Sequence, residues 1–308
     1  MTPPMLSEAE LRAAVERVLP GVRADLERLV RIPGIAFDGF DHSHVERSAA
    51  AVAELLRGCD LDVQIARIGT GHPAVIGHRA APPGAPTVLL DAHHDVQPAG
   101  DPALWASDPF EPVERDGRLY GRGAADDKAG IMAHIAALRA FGDALPVGVV
   151  LFIEGEEEFG SASLDALLAE HRDLLRSDVI VIADSGNFDI GVPALTTSLR
   201  GLVNCFVEVR TLHNAVHSGM FGGPVPDALT VLARLLATLH DERGNVAVDG
   251  LVGREGAAVD YPEQRLRAEA GMLDGVRLIG QGRLTDRIWT KPAIAVLGID
   301  APRTTEAP

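Results

Sequence analysis

Three short apolar runs, Thr87–Leu90, Val147–Ile153 and Val179–Ala183, constrain this chain more than any other feature. Each is the length of one strand, and the first two are unbroken in the way of strands buried on both faces. Helical patterns fill the spaces between them, at Ala129–Phe141 and Leu164–His171. Strands alternating with helices predict an α/β fold: a three-layer domain around a mostly parallel sheet.

Upstream, Ser7 and Glu10 have the spacing of a capping box ahead of Leu11, Val15 and Val18, so a helix should start at Ser7. Pro20 is expected to interrupt it, with a second amphipathic stretch from Val22 to about Ile32. A further helix fits Val45–Leu56, followed by β-rich runs at Leu61–Ile68 and Pro73–Gly77. Past Thr196–Gly201 the character changes. Leu202–Arg210 alternates apolar and polar residues, the pattern of a half-solvated strand in a different sheet, and Ala228–His240 reads as a helix. The boundary is placed near Ser198, giving domains 1–197 and 198–308. Residues 244–284 are weakly patterned, and no internal repeat is found.

At 308 residues and 46% hydrophobic content the chain can bury a sizeable core. Its formal net charge of −16 repels phosphate backbones and argues against a nucleic-acid partner. Cys59 and Cys205 are too few for a disulfide framework. The first ten residues lack the basic flank and apolar segment of a signal peptide, and no apolar run is long enough for a bilayer. A cytoplasmic protein with no membrane partner is the expectation.

The chemistry lies just beyond the three runs. His93 and Asp95 follow the first, Glu156, Glu157 and Glu158 the second, and Asp184 the third. Ligands in open α/β sheets gather at the carboxyl ends of strands, so these groups should converge on one rim. A fourth segment, Gly121 to Lys128, is a glycine-bearing loop carrying Asp126 and entering the helix from Ala129. So many carboxylates in one cleft raise one another's pKa unless a cation is shared among them. Imidazole with carboxylates suits zinc, with manganese or cobalt as alternatives. Two ions about 3.5–4 Å apart would activate a water and polarise a carbonyl. Each member has an ordinary reading by itself: a turn-forming Asp184, a solvated triple Glu, a packed His94. The joint pattern carries the signal.

Ala92-His93-His94-Asp95-Val96-Gln97-Pro98, the Trp105 to Phe110 loop, Asp116 to Gly123 with Asp126-Asp127-Lys128, and Glu154 to Ser161 together resemble the signature of the co-catalytic zinc peptidases. That family includes carnosinase-like dipeptidases, carboxypeptidase G, acetylornithine deacetylase and succinyl-diaminopimelate desuccinylase. The likeness runs in order along nearly the whole chain and is strongest to the dipeptidase branch. It implies metal-dependent hydrolysis of amide bonds in dipeptides or small peptides. By the same resemblance His93 and Asp184 hold one metal, Glu158 holds the other, and Asp126 bridges both. Asp95 would orient His93, and Glu157 would be the general base that moves a proton from water to the leaving amine. A cis peptide after Asp126 is implied as well. Residues 198–308 would be a smaller α+β lid through which a homodimer forms. In it His217, within His217-Ser218-Gly219 and ahead of Phe221-Gly222-Gly223, would reach the partner subunit's site and stabilise the oxyanion.

The pattern departs from the family at the C-terminus. Trp289 to Ile299 resembles a mid-lid strand, and no histidine follows His240, where the family supplies one more ligand. A shortened, incomplete lid and a weakened metal shared by Asp126 and Glu158 are therefore expected. An N-acyl amino acid deacylase would use the same metals, and a non-catalytic metal-binding remnant is the reading from another class.

Overall fold

The computed structural model describes residues 6–256, 258–303 and 305. The chain folds as two units, Met1–Ala194 and Leu195–Pro308.

The first unit opens with helix α1 (Glu8–Val30), capped as the Ser7–Glu10 spacing predicts: each side chain bonds the other's backbone N–H. The expected break at Pro20 does not occur; the helix runs through it. Proline removes one intrahelical hydrogen bond, but Val22, Leu29 and Val30 are buried beyond it, and their packing carries the helix past the gap. Helix α2 (Ser43–Arg57) follows, then strands β1 (Asp62–Ala66), β2 (Ala74–Arg79) and β3 (Thr87–His93). A small hairpin, β4 (Val113–Arg115) with β5 (Arg118–Tyr120), precedes helix α3 (Lys128–Phe141), strand β6 (Gly148–Glu154), helix α4 (Leu164–Glu170) and strand β7 (Val179–Ile182).

The main sheet has the order β1-β2-β6-β3-β7. β6, β3 and β7 are parallel neighbours, and β2 is antiparallel to both of its own, so four of the five strands point the same way. β6 is central, and its side chains serve two cores in strict alternation. Val149, Leu151 and Ile153 pack with α1, α2 and α3, while Val150 and Phe152 pack with Leu167 of α4 and Leu175. Helices on both faces give the three layers expected. Each fully buried large side chain contributes roughly 1.5–3 kcal/mol, so β6 anchors the unit. β7 differs from the buried strands: it lies at the sheet edge with all four residues exposed.

The second unit is helical where it is regular: α5 (Ser218–Phe221), α6 (Ala228–Thr238), α7 (Glu263–Glu269) and α8 (Leu284–Trp289). Two expectations fail here. Leu202–Arg210 forms no strand, and the segment 289–299 begins as the end of α8 rather than as a strand. Alternation creates two faces, but a strand exists only once its backbone groups find a ladder partner. No ladder forms among the described residues of this unit, and Leu202, Val203 and Phe206 stand open to solvent. α6 matches its expectation, with Asp227 accepting the Thr230 N–H as its cap.

Candidate metal centre

The site begins with register. β3 and β6 are parallel with His93 opposite Glu154, so the two chains leave the sheet side by side. The His94 N–H donates to the Glu154 carbonyl at 2.8 Å, carrying the pairing one residue further. β6 then turns at Gly155, where a Cβ would meet the Pro73 carbonyl oxygen at 2.2 Å and the His94 ring at 2.7 Å. Only glycine lets the three segments approach this closely. His94 is buried against that turn, its Nε2–H donating to Pro73 O at 2.8 Å, and burial takes its pKa down to about 4. It is a packing residue.

After the turn, Glu156 points inward and accepts hydrogen bonds from the His72 N–H and from both the N–H and hydroxyl of Ser163. The next two residues are held by Asp95. Its fully buried carboxylate accepts the Glu157 N–H at 3.2 Å and the Glu158 N–H at 3.1 Å. The same carboxylate stands 3.4 Å from His93 Nδ1, whose other contact is the Asp95 carbonyl at 3.1 Å. Asp95 thus fixes the imidazole and the Glu157–Glu158 turn together.

With Nδ1 engaged, His93 presents Nε2 to the carboxylates. Asp126 Oδ1 lies at 3.0 Å, and Glu157 Oε2 and Asp184 Oδ1 each at 3.9 Å. The Asp126–Asp127 peptide is cis. The neighbouring Asp127 is buried, and its Oδ2 accepts the His93 N–H at 3.1 Å. Ligand atoms come within 4.8 Å of one another in two groups, His93 with Asp127 and Asp184, and His93 with Asp126 and Glu158.

The electrostatics follow from this crowding. Burial works against a charged His93, but Asp95, Asp127 and Asp184 outweigh it and push the imidazolium up to about 10. Burial, partly offset by His93, pushes Asp127 up to about 7 and Asp91 to about 6, and also raises Glu157 and Asp184. One imidazole nitrogen ringed by carboxylates from three chain segments, several of them reluctant to ionise, is a donor set that fits a divalent cation.

Of the residues named from sequence, His93, Asp95, Asp126, Glu157, Glu158 and Asp184 come together in the first unit. His217 belongs to the second, where it is exposed and its Nδ1 accepts the Gly219 N–H at 3.1 Å at the start of α5. Sequence reasoning passed over Asp127, although its adjacency to Asp126 was a signal. It also gave Gln97 no role; its amide bonds Glu158.

Fold and donor set define an α/β protein with a carboxylate-rich centre at the carboxyl edge of its sheet, suited to divalent ions. Residues 89–275 match the family model of peptidase family M20/M25/M40, a span that holds every member of the cluster. The chain belongs to that family. It is 38% identical over 274 residues to the cysteinylglycine-S-conjugate dipeptidase of Corynebacterium striatum, across 85% of this chain and 59% of that protein. To the Beta-Ala-His dipeptidase of Mus musculus it is 34% identical over 245 residues, 74% of this chain and 49% of that protein. Among solved structures it resembles human carnosine dipeptidase 1, with a TM-score of 0.70 and 26% identity over 98% of this chain and 69% of that one. The chain therefore spans about half to three-fifths of the length of these curated relatives. Among the described residues no helix is long and apolar enough to cross a membrane.

Proposed function

We propose that this chain carries the metal centre of a dipeptidase that hydrolyses the amide bond of dipeptides or small peptides. The observation that carries the reading is the carboxylate ring around His93 Nε2, with Glu157 beside it at 3.9 Å and partly open to solvent. Two divalent ions, zinc by the chemistry of the donors, would be held by His93, Asp126, Glu158 and Asp184. When bound, they would supply Lewis acidity to the scissile carbonyl and lower the pKa of a water.

Glu157 takes the proton from the attacking water and returns it to the leaving amine. Burial raises its pKa above the ordinary carboxylate value, which favours the protonated form it passes through. Asp95 keeps Glu157 in place through its backbone N–H and keeps His93 in the tautomer that offers Nε2. A catalytic domain over 1–197 and a lid over 198–308, pairing of two chains through that lid, His217 assisting the partner subunit's site and a cytoplasmic setting complete the reading. The dipeptidase names of the relatives support the substrate class.

The test is hydrolysis of dipeptides and of N-acetyl amino acids by the purified chain with added zinc or manganese. Dipeptides should be cleaved and N-acetyl amino acids left intact. Glu157→Gln should lower turnover about 10²–10⁴-fold while metal content stays at the wild-type level. Cleavage undiminished in that variant would sink the general-base role.

A further inference from the structure

The amide of Gln97 stands 2.8 Å from Glu158 Oε2 and 3.2 Å from the Glu158 carbonyl oxygen. Both partners are pure acceptors, so the amide nitrogen must face them and donate one hydrogen to each. Gln97 is four residues past His93 on the loop that leaves β3, and it is half-buried. Its two bonds tie the side chain of Glu158 to the main chain of the same residue, which removes the rotamer freedom a glutamate otherwise keeps. From the other side Asp95, on the same loop, accepts the Glu157 and Glu158 N–H groups. The turn that carries Glu158 is thus gripped at its N–H groups, its carbonyl and its carboxylate by two residues of one loop.

We propose that Gln97 is a positioning residue for the metal centre: it clamps one oxygen of Glu158, so that the other is presented to a divalent cation beside His93 and Asp126. This rests on the metal-site reading above. A neutral donor suits the task. A lysine or arginine in the same place would make the same hydrogen bonds but set a positive charge against the cation. With one Glu158 oxygen occupied, that carboxylate is steered towards binding through a single oxygen, leaving room for Asp126 in the same group.

The test is zinc and manganese affinity, measured by competition with a chromophoric chelator, for the wild type, Gln97→Met, Gln97→Asn and Glu158→Gln. Methionine keeps the volume and loses the donor; asparagine keeps the amide but falls short by a methylene. Thermal unfolding in EDTA reports whether each variant keeps the fold of the metal-free chain. The expected result is a roughly ten-fold loss of affinity in both Gln97 variants with unfolding in EDTA unchanged. Any hydrolysis lost should return at excess metal, a rescue that plain structural damage would not show. Should the methionine variant unfold early in EDTA, the asparagine variant decides the matter alone. Affinity within two-fold of wild type in a folded Gln97 variant overturns the clamp, provided Glu158→Gln binds metal poorly. If Glu158→Gln also binds at wild-type affinity, Glu158 is no ligand and the clamp falls together with the site reading beneath it.

Discussion

At the scale of single residues, an acid buried beside the centre gives the fold a pH dependence of its own. Glu154, the last residue of β6, is buried and has one carboxylate oxygen, Oε1, without a partner. Burial, against a hydrogen bond from Ser161, pushes its pKa up to about 7. Between its ordinary value of 4.5 and about 7 the unfolded chain has released this proton and the folded chain has not. The folded state then binds more protons, so this residue makes stability fall as pH rises through that window. Glu154→Gln removes the term: in EDTA the variant should gain on the wild type from pH 4.5 upward and be more stable by roughly 1 kcal/mol at pH 8. Parallel urea titrations at pH 4.5 and pH 8 check it, and a stability difference that is the same at both would refute it. Such a residue is hard to find from sequence. Glu154 reads as one more acid in Glu154-Gly155-Glu156-Glu157-Glu158, and only strand register shows that it lies inside the sheet while Glu157 and Glu158 lie beyond it. His93, Asp95, Asp126, Glu157, Glu158 and Asp184 were legible because each follows an apolar run or a glycine turn. Which of two adjacent aspartates points where was not, since adjacency carries no direction; the structure puts Asp127 with Asp184 and Asp126 with Glu158.

At the scale of elements, the approach of α3 to β7 decides where two of the acids can sit. Gly130, in the first turn of α3, is packed so closely that a Cβ would lie 2.2 Å from Asp127 Oδ1 and 2.7 Å from the Ala183 carbonyl oxygen. Alanine is the better helix former by about 1 kcal/mol, so helix propensity alone favours Gly130→Ala. Overpacking should win, costing about 1–3 kcal/mol, because one clash is with backbone. It would also move Asp127 away from the His93 N–H and shift the end of β7 beside Asp184. The expected outcome is lower thermal stability in EDTA together with weaker metal binding; a rise in stability would show that the close approach is not there. β3, β6 and the helices α2 and α3 were readable because local pattern and tertiary use agree: an apolar run is a strand, and β6 is buried on both faces as its composition requires. Pro20 and Leu202–Arg210 were misread for opposite reasons. α1 is carried through its proline by packing at Val22, Leu29 and Val30, which local chemistry does not show. Leu202–Arg210 has the alternation of a strand and no pairing partner among the described residues, which local chemistry does not show either.

For the molecule as a whole, charge and metal are one problem. A net −16 is borne by a chain whose first unit gathers Asp95, Asp126, Asp127, Glu157, Glu158 and Asp184 around one imidazole. Without metal, protons do the neutralising. His93 has a folded pKa of about 10 against its usual 6.5, so its contribution is complete below pH 6.5 and is lost as pH climbs towards 10. Asp127, raised to about 7, keeps a proton in the fold that the unfolded chain has already released, so its effect has the same sign between its usual 3.8 and about 7. The metal-free chain should therefore weaken from weakly acidic to alkaline pH. Metal binding runs the other way, because His93 must lose its proton to become a ligand, and affinity should rise over that range. An ion present at a hundred times its Kd adds about 2.7 kcal/mol, which for a domain of this size is a rise in Tm on the order of 5–10 °C. The expected result is a gap between the Tm with zinc and the Tm in EDTA that is small at pH 6 and widens steadily to pH 9. A gap of constant width would mean that protons and metal do not compete for these residues, and that the acids around His93 are held apart by something other than the charge they share.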